Sequence, residues 1–257
     1  MNERESPAVA RTLLVDIGNT NLKWAWLAEG GLSLVSVASH REQPVSELSE
    51  LHWREEPRPE RVLVANVAAR RLEAELREWL HKNWQLEAEI FRSSHQALGV
   101  TSAYTKPEQL GVDRWLTLIA AHHGIPSPVC IVDCGTAITL DVMDESGRHL
   151  GGLILPGFEL MRKSLLENTW IPRETGEQAG GLFARDTASA IAAAGAHAAS
   201  ALVERVLDRS SLELGRRAQL VLTGSDAPKL QAVLPEPCLI EPDLVMKGLA
   251  LVAMEWQ

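Results

Sequence analysis

Two stretches of this chain share one pattern, in which an apolar strand ends in an Asp-x-Gly turn and an alternating strand follows. The first reads LLVDIGNTNLKWAW over residues 13–26, and the second reads VCIVDCGTAITLDV over residues 129–142. A single Asp-x-Gly says little, because Asp and Gly meet in many turns. Two copies in the same context predict two related halves, each an α/β unit with a mixed sheet flanked by helices.

The turn in each copy is suited to hold a phosphate chain. Backbone N–H groups in such turns can face an anion, and a carboxylate beside them can hold the metal ion that phosphates bring. Asp16 provides the carboxylate in the first copy, Lys23 is placed to reach back toward a phosphate, and Gly135 and Thr136 offer a second cradle. Ordinary hairpin chemistry explains either turn alone, whereas the pair favours a nucleotide cleft between the two halves.

The bulk composition excludes several classes of protein. With 257 residues, of which 46% are hydrophobic and 23% charged, the chain resembles an ordinary soluble protein with a substantial core. A formal net charge of -9 without a Lys or Arg block argues against nucleic-acid binding. No apolar run is long enough to span a bilayer, and the N-terminal residues lack the core of a signal peptide. The sequence therefore predicts a cytoplasmic protein with no nucleic-acid or membrane partner.

The cysteines fit a reducing compartment. An odd set, Cys130, Cys134 and Cys238, without clustered spacing does not predict a disulfide framework. Cys130 and Cys134 have the spacing of a metal-binding pair, but no further Cys or His cluster accompanies them. We interpret both as small core residues.

The chain is predicted to consist of a short tail and two halves. Residues 1–11 are predicted to form a flexible tail, residues 12–105 the N-terminal half and residues 106–257 the C-terminal half, with a hinge near residues 94–109. Residues 70–84 predict an amphipathic helix, because their large apolar side chains recur on one stripe. A later alanine-rich helix would let another helix approach closely, as in a subunit interface.

Taken together, these motifs resemble the superfamily that contains actin and the sugar kinases, and more closely the type III pantothenate kinases. The resemblance rests on four motifs: Asp16-Ile17-Gly18-Asn19-Thr20, Gly111-Val112-Asp113-Arg114, Asp133-Cys134-Gly135-Thr136 and Gly151-Gly152…Pro156-Gly157. It runs from about residue 13 to the C-terminus. It implies two ribonuclease-H-like halves and an ATP-dependent phosphorylation of pantothenate to 4'-phosphopantothenate, the first step of coenzyme A biosynthesis.

Phosphoryl transfer to an alcohol needs a phosphate cradle, a cation, a base and a grip on the acceptor. The resemblance implies that ATP, carrying Mg²⁺, is bound by Asp16, Ile17, Gly18, Asn19, Thr20, Asn21, Leu22, Lys23 and Thr136. Asp16 is the candidate carboxylate for that Mg²⁺. By symmetry with Asp16, Asp133 would position magnesium or a water, whereas the resemblance implies that Asp133 binds a monovalent cation, potassium or ammonium.

The motif Gly111-Val112-Asp113-Arg114 is implied to bind the acceptor. Asp113 would accept the proton of the pantothenate hydroxyl; the alternative is an acidic residue that complements a helix dipole. Arg114 would grip the pantothenate carboxylate, because a guanidinium binds a carboxylate with a two-pronged fork. The alternative for Arg114 is a surface salt bridge.

Two further residues are assigned to the acceptor site by the resemblance. Tyr104, the one tyrosine in the chain, would line the pantothenate pocket; a loop aromatic packed on the core is the alternative. Thr187 would contact pantothenate, and a helix cap is an equally good explanation. The chain departs from the family at Lys106, because the family usually has Asn-Pro there and this chain has Lys106-Pro107.

The resemblance also implies a homodimer with the acceptor site near the subunit contact. Two alternatives remain for the function. One is a non-catalytic accessory or regulatory protein, since some proteins of this family were named as accessory factors for virulence-gene activation. The other is a kinase of a different small anionic hydroxy compound. Asp16, Asp113 and Arg114 together count against a loss of catalysis, and Arg114 calls for an anionic acceptor.

Overall fold

A computed structural model describes residues 11–171, 181–235 and 237–256. The predicted tail lies outside these residues except for Arg11. The chain forms two compact units, Met1–Ser94 with Lys106–Ala120 and Val245–Gln257, and His95–Thr105 with Ala121–Leu244. That the two related halves meet between residues 105 and 106 stays a prediction from the sequence.

The first unit contains a six-stranded mixed sheet. Its strands are β1 (Thr12–Ile17), β2 (Asn21–Ala28), β3 (Gly31–Leu32), β4 (Ser36–Ser39), β5 (Arg61–Asn66) and β6 (Ala88–Ile90). They follow the order β3-β2-β1-β5-β6, and β4 pairs with β2. The central strand β1 is antiparallel to β2 and parallel to β5. All of β1 except its first residue is buried, as expected for a strand covered on both faces.

Two helices cover one face of this sheet, α1 (Val45–Trp53) and α2 (Arg70–Trp84). The prediction of a helix over residues 70–84 is confirmed. An aromatic cluster joins the helices, with the rings of Trp53 and Trp79 5.8 Å apart and those of Trp79 and Trp84 5.0 Å apart, both edge to face. Such pairs add about 0.5–1.5 kcal/mol each beyond their buried area.

The first unit also contains the start of helix α3 (Val112–Gly124) and most of α7 (Leu244–Glu255). Pro107 begins a separate 3₁₀ helix, Pro107–Gln109, and the extended backbone of Leu110 breaks the chain before α3 begins. A Cβ atom added to Gly248 would collide with the carbonyl of Leu116, so this glycine lets α7 approach α3 closely.

The second unit repeats this plan. Its main sheet contains β9 (Val129–Cys134), β10 (Ala137–Met143), β11 (His149–Pro156), β12 (Gln219–Thr223) and β13 (Leu239–Ile240), in the order β11-β10-β9-β12-β13. Strand β9 is antiparallel to β10 and parallel to β12, as β1 is to β2 and β5. The internal repeat read from the two Asp-x-Gly turns is therefore confirmed. A small hairpin, β7 (Gln96–Ala97) and β8 (Val100–Thr101), was not anticipated.

Three described helices accompany the second sheet: α4 (Phe158–Asn168), α5 (Thr187–Leu214) and α6 (Ala227–Gln231). The alanine-rich helix α5 ends at a left-handed Gly215 with φ of 72°. By length and composition α5 could cross a membrane, but the core helices of soluble proteins meet the same criteria. Its buried residues Val203 and Leu207 pack into the core of this unit.

The positions of Cys130 and Cys134 in the second sheet test the predictions made for these two cysteines. Cys130 and Cys134 are buried free thiols on β9, and burial raises the pKa of each to about 12. Within the described ranges no group of three or more His, Cys, Asp or Glu side chains could hold a metal ion. The interpretation of these two cysteines as small core residues is confirmed.

Candidate functional site

The first Asp-x-Gly turn joins β1 to β2. Asp16 is 5% exposed and lies opposite Lys23 in the β1–β2 pairing. The Gly18 amide donates a 3.0 Å hydrogen bond to the Asn21 carbonyl and so closes the turn. Because the Gly18 amide is already used in this hydrogen bond, the amides of Asn19 and Thr20 are the candidates for contacts with a phosphate.

Two residues that the sequence analysis did not assign hold this turn from the side. His40 Nε2 lies 2.7 Å from the Gly18 carbonyl, and Arg41 Nη2 donates to Thr20 Oγ1 at 3.1 Å. They reach the turn because β4 pairs with β2, with Ser39 opposite Asn21. Arg41 places an exposed cation beside the turn, in addition to the half-buried Lys23. His40 and Arg41 therefore join the candidate phosphate-binding residues. In the sequence, the one indication of this role is that two basic residues follow a short exposed strand.

The second Asp-x-Gly turn is also closed by its glycine amide, and it has an additional support. The Gly135 amide donates to the Ala137 carbonyl, two residues on, at 3.0 Å, whereas Gly18 donates to the carbonyl three residues on. The Gly157 amide, just before α4, donates to the Thr136 carbonyl at 2.9 Å. A Cβ atom at Gly157 would overlap the carbonyls of Gly135 and Thr136, so only glycine permits this close approach.

Oxygen atoms converge beside Asp133 at the ends of β9 and β12. Gly224 has a φ of 88°, and a Cβ atom built on it would collide with Asp133 Oδ1 and lie 2.5 Å from the Cys134 carbonyl. The Asp226 amide donates to that carbonyl at 3.0 Å, which fixes its position. A carboxylate and a carbonyl beside a bare glycine form a donor set of hard oxygens, which fits a cation of the potassium or ammonium class better than a soft metal.

The motif at residues 111–114 forms the first turn of α3. The Trp115 amide donates to the Gly111 carbonyl at 3.0 Å, and the Arg114 amide donates to Asp113 Oδ1 at 2.7 Å. Asp113 is half-buried, and Val112 is buried. A Cβ atom at Gly111 would lie 2.5 Å from Asp113 Oδ1, so the glycine makes room for the carboxylate.

Arg114 is 4% exposed, so the alternative of a surface salt bridge is wrong. Its backbone carbonyl accepts a hydrogen bond from Thr117 Oγ1 at 2.8 Å, which holds the residue within the helix. Burying a guanidinium is costly unless charged or polar partners surround it. Because ionisable groups held out of water cluster at functional sites, the buried Arg114 beside the half-buried Asp113 is a candidate for ligand binding.

Tyr104 and Thr187 both belong to the second unit. Tyr104 is half-buried and its ring stacks on that of His149. Thr187 is the exposed first residue of α5, but it does not cap the helix. The capping side chain is Asp186, which accepts the Ser189 amide at 2.8 Å, a bond that lowers the pKa of Asp186. The helix-cap explanation of Thr187 is therefore wrong. Lys106 is exposed and precedes the 3₁₀ helix.

The candidate residues fall into two sets, one in each unit. The first unit carries the turn at residues 16–23 and the motif at residues 111–114. The second unit carries Tyr104, Asp133, Thr136 and Thr187. Each set combines one Asp-x-Gly turn with residues assigned to the acceptor.

Comparison with known proteins agrees with these motifs. The sequence profile of the family described as type III pantothenate kinase matches residues 12–209. A type III pantothenate kinase of Nitrosococcus oceani is 39% identical over 249 residues, which cover 95% of this chain and 94% of the relative. A protein of the same name from Dichelobacter nodosus is 35% identical and covers 92% of this chain and 95% of the relative.

Solved structures show the fold. A Campylobacter jejuni protein, described as belonging to the Baf family of transcriptional activators, aligns with a TM-score of 0.60 at 22% identity, over 95% of this chain and 98% of its own. A glucokinase from an Antarctic psychrotroph aligns with a TM-score of 0.50 at 11% identity, over 96% of this chain and 100% of its own. These likenesses show that the chain shares the fold of these proteins, one of which is a sugar kinase. By its profile match and by relatives that share more than a third of its residues over nearly all of its length, the chain belongs to the type III pantothenate kinase family.

Proposed function

We propose that this chain transfers the γ-phosphoryl group of ATP to the primary hydroxyl of pantothenate, giving 4'-phosphopantothenate in the first step of coenzyme A biosynthesis. Family membership supports this function, since the relatives bear the name of that enzyme. The observation that carries it is the buried Arg114 beside Asp113 at the start of α3, because this pair suits an acceptor that has both a hydroxyl and a carboxylate.

The proposed roles divide between acceptor and nucleotide. Asp113 takes the proton of the attacking hydroxyl, while Arg114 grips the carboxylate of pantothenate with its fork. Gly111, Val112, Tyr104 and Thr187 contact the acceptor. The phosphates of ATP are bound by the turn residues, namely Asp16, Ile17, Gly18, Asn19, Thr20, Asn21, Leu22, Lys23 and Thr136.

Two cations complete the proposal. Asp16, a carboxylate at the end of β1, would hold the Mg²⁺ that ATP brings, and Asp133 with the Cys134 carbonyl would hold potassium or ammonium. When bound, these ions supply positive charge that offsets the charge of the phosphates. The ligands of the monovalent ion would be positioned by the ends of two adjacent strands, because Asp133 near the end of β9 pairs with Thr223 at the end of β12.

A coupled assay that follows ADP release tests the proposed function. With ATP, Mg²⁺ and potassium we expect turnover on pantothenate and none on pantetheine, which lacks the carboxylate that Arg114 would bind. A folded protein that releases no ADP with pantothenate would favour the accessory role. Faster turnover on another small hydroxy acid would favour the second alternative.

Arg114→Lys tests the grip on the acceptor. We expect the KM for pantothenate to rise at least about tenfold, because a lysine keeps the charge and loses the two-pronged hydrogen bond. The KM for ATP should stay within about twofold. Arg148→Lys is the matched control, since Arg148 is an exposed arginine in the β10–β11 turn. Equal changes in both KM values would assign Arg114 a structural role instead.

We also infer that the protein works as a cytoplasmic homodimer without a nucleic-acid or membrane partner. The net charge of -9 supports the absence of nucleic acid. Exposed apolar side chains on edge strand β11 and helix α4 support a subunit contact, because large apolar patches on a surface usually meet a partner. They are Leu153, Ile154, Leu160 and Leu165.

Ile154→Asp tests this interface. Ile154 is 65% exposed on β11, so a charge there should leave the subunit folded and place an ion in the subunit contact. We expect light scattering after gel filtration to give a dimer for the wild type and a monomer for the variant. Leu51→Asp, at a 69% exposed leucine of α1, should remain dimeric. A monomeric wild type, or a variant that is fully dimeric at low concentration, would contradict the proposed interface.

A further inference from the structure

A buried contact between a histidine and an aspartate lies inside the second unit, and neither residue was assigned a role in the proposed function. His149, the first residue of β11, places Nε2 2.9 Å from Asp141 Oδ1 on β10. Their side chains are 0% and 2% exposed. A carboxylate in the core strongly favours a donor at this distance, so Nε2 carries a proton and the bond fixes the plane of the imidazole ring.

The other ring nitrogen of His149 does not share this task. Nδ1 is buried and has no hydrogen-bond partner among the described residues. Asp141 therefore provides the hydrogen bond that orients the ring. Because His149 is only 1% exposed, it is poorly placed to exchange protons with a substrate.

Tyr104 packs against the face of this fixed ring. The two ring centroids are 6.1 Å apart and the planes differ by 9°, which is an offset parallel stack. The backbone around Tyr104 is anchored to the same part of the unit, because the Thr101 amide donates to the Gly147 carbonyl at 3.0 Å, two residues before His149. The Tyr104 amide donates to Ser102 Oγ at 3.1 Å. The half-buried tyrosine thus leans on a rigid, buried support.

We propose that His149 is a positioning residue for pantothenate binding: held by Asp141, its ring sets the orientation of Tyr104, which forms one wall of the acceptor pocket. This inference rests on the proposed function, since Tyr104 was assigned there to the acceptor. A binding side chain whose orientation is fixed beforehand does not lose freedom when the ligand arrives. Disturbing the support should therefore weaken acceptor binding and leave the nucleotide site intact.

Two substitutions separate the two contacts of His149. His149→Phe keeps a ring for Tyr104 and removes the N–H that Asp141 accepts. His149→Gln keeps an amide donor near the position of Nε2 and removes the ring. For both we expect the KM for pantothenate to rise on the order of tenfold, while kcat and the KM for ATP stay within about twofold. Leu140→Val, at a buried neighbour on β10, is the control for a general loss of packing.

A double substitution shows whether His149 acts through Tyr104. In a Tyr104→Ala background, we expect His149→Gln to have little further effect on the KM for pantothenate, because the side chain that it positions is gone. A tenfold effect that persists in this background would overturn the proposal. So would a wild-type KM in a folded His149→Gln variant.

A spectroscopic measurement is independent of activity and of any variant. Because Tyr104 is the one tyrosine, protein labelled with 3-fluorotyrosine has a single ¹⁹F resonance. We expect a nuclear Overhauser contact between this fluorine and the His149 ring protons in the wild type, and a shift of the line when pantothenate is added. If the wild type does not phosphorylate pantothenate, the proposed function fails while the contact can still be observed. If the enzyme is active and either the contact or the pantothenate shift is absent, the role of His149 fails.

Discussion

Asp113→Asn is expected to lower kcat on the order of 10²–10⁴-fold, because that is the typical contribution of a general base. The substitution is nearly isosteric. The asparagine side chain keeps an oxygen that can accept the Arg114 amide, a bond that is 2.7 Å long for Asp113. The first turn of α3 should therefore keep its shape, and the loss should fall on proton transfer rather than on folding.

The measurement compares kcat with the thermal midpoint and with the affinity for a non-hydrolysable ATP analogue. If Asp113 only complemented the helix dipole, the variant would lose about 0.3–1 kcal/mol of stability and turn over at nearly the wild-type rate. That result would remove Asp113 from catalysis. Glu108→Gln, at an exposed acid of the preceding 3₁₀ helix, is the control and should change neither quantity.

The second large effect is expected from the monovalent ion. With Mg²⁺ held fixed in a sodium or Tris buffer, adding potassium or ammonium should raise activity on the order of 10²-fold, the size of one lost charge-stabilising contact. Without a bound cation, the negative charge of Asp133 would repel the phosphates of ATP. An ion held by Asp133 and the Cys134 carbonyl would remove this repulsion. Gly224 lets these two oxygens come close together, because a Cβ atom there would collide with both.

Asp133→Asn should blunt the response to potassium, because the neutral amide neither repels phosphate nor attracts the ion strongly. Asp208→Asn is the control, since Asp208 lies on the exposed end of α5 and pairs with Arg217. Activity should be measured over a range of potassium concentrations for all three proteins. A wild type that works equally fast without either ion would remove the cation role from Asp133.

The repeated strand and turn could be predicted because each copy carries its own local signal. An apolar run followed by Asp-x-Gly specifies a buried strand and a tight turn from a few consecutive residues. Helix α2 was equally clear, since its apolar stripe repeats over four turns. The motif at residues 111–114 was identified from the family resemblance, and its position at the start of α3 agreed with the helical spacing after it.

The contacts that could not be predicted join residues far apart in the chain. The contact of Arg41 with Thr20 depends on the register of β4 against β2. It could not be predicted, because a strand of only four residues gives little indication of its register. The stack of Tyr104 on His149 joins residues from separate strands and loops. At the start of α5, Asp186 and Thr187 both carry a suitable oxygen, so the sequence alone could not select the capping residue.

The two unreactive thiols on β9 can be used to detect local unfolding of the second unit. A thiol reagent at neutral pH reacts with thiolate, and a pKa of about 12 together with burial leaves Cys130 and Cys134 almost entirely protonated and shielded. Half-buried Cys238 is the thiol that a reagent meets first in the native state. It therefore offers a site for a single spectroscopic label without mutagenesis. Cys130 and Cys134 would react only when β9 separates from its neighbouring strands. The rate of their modification would therefore measure the local stability of the sheet that carries Asp133.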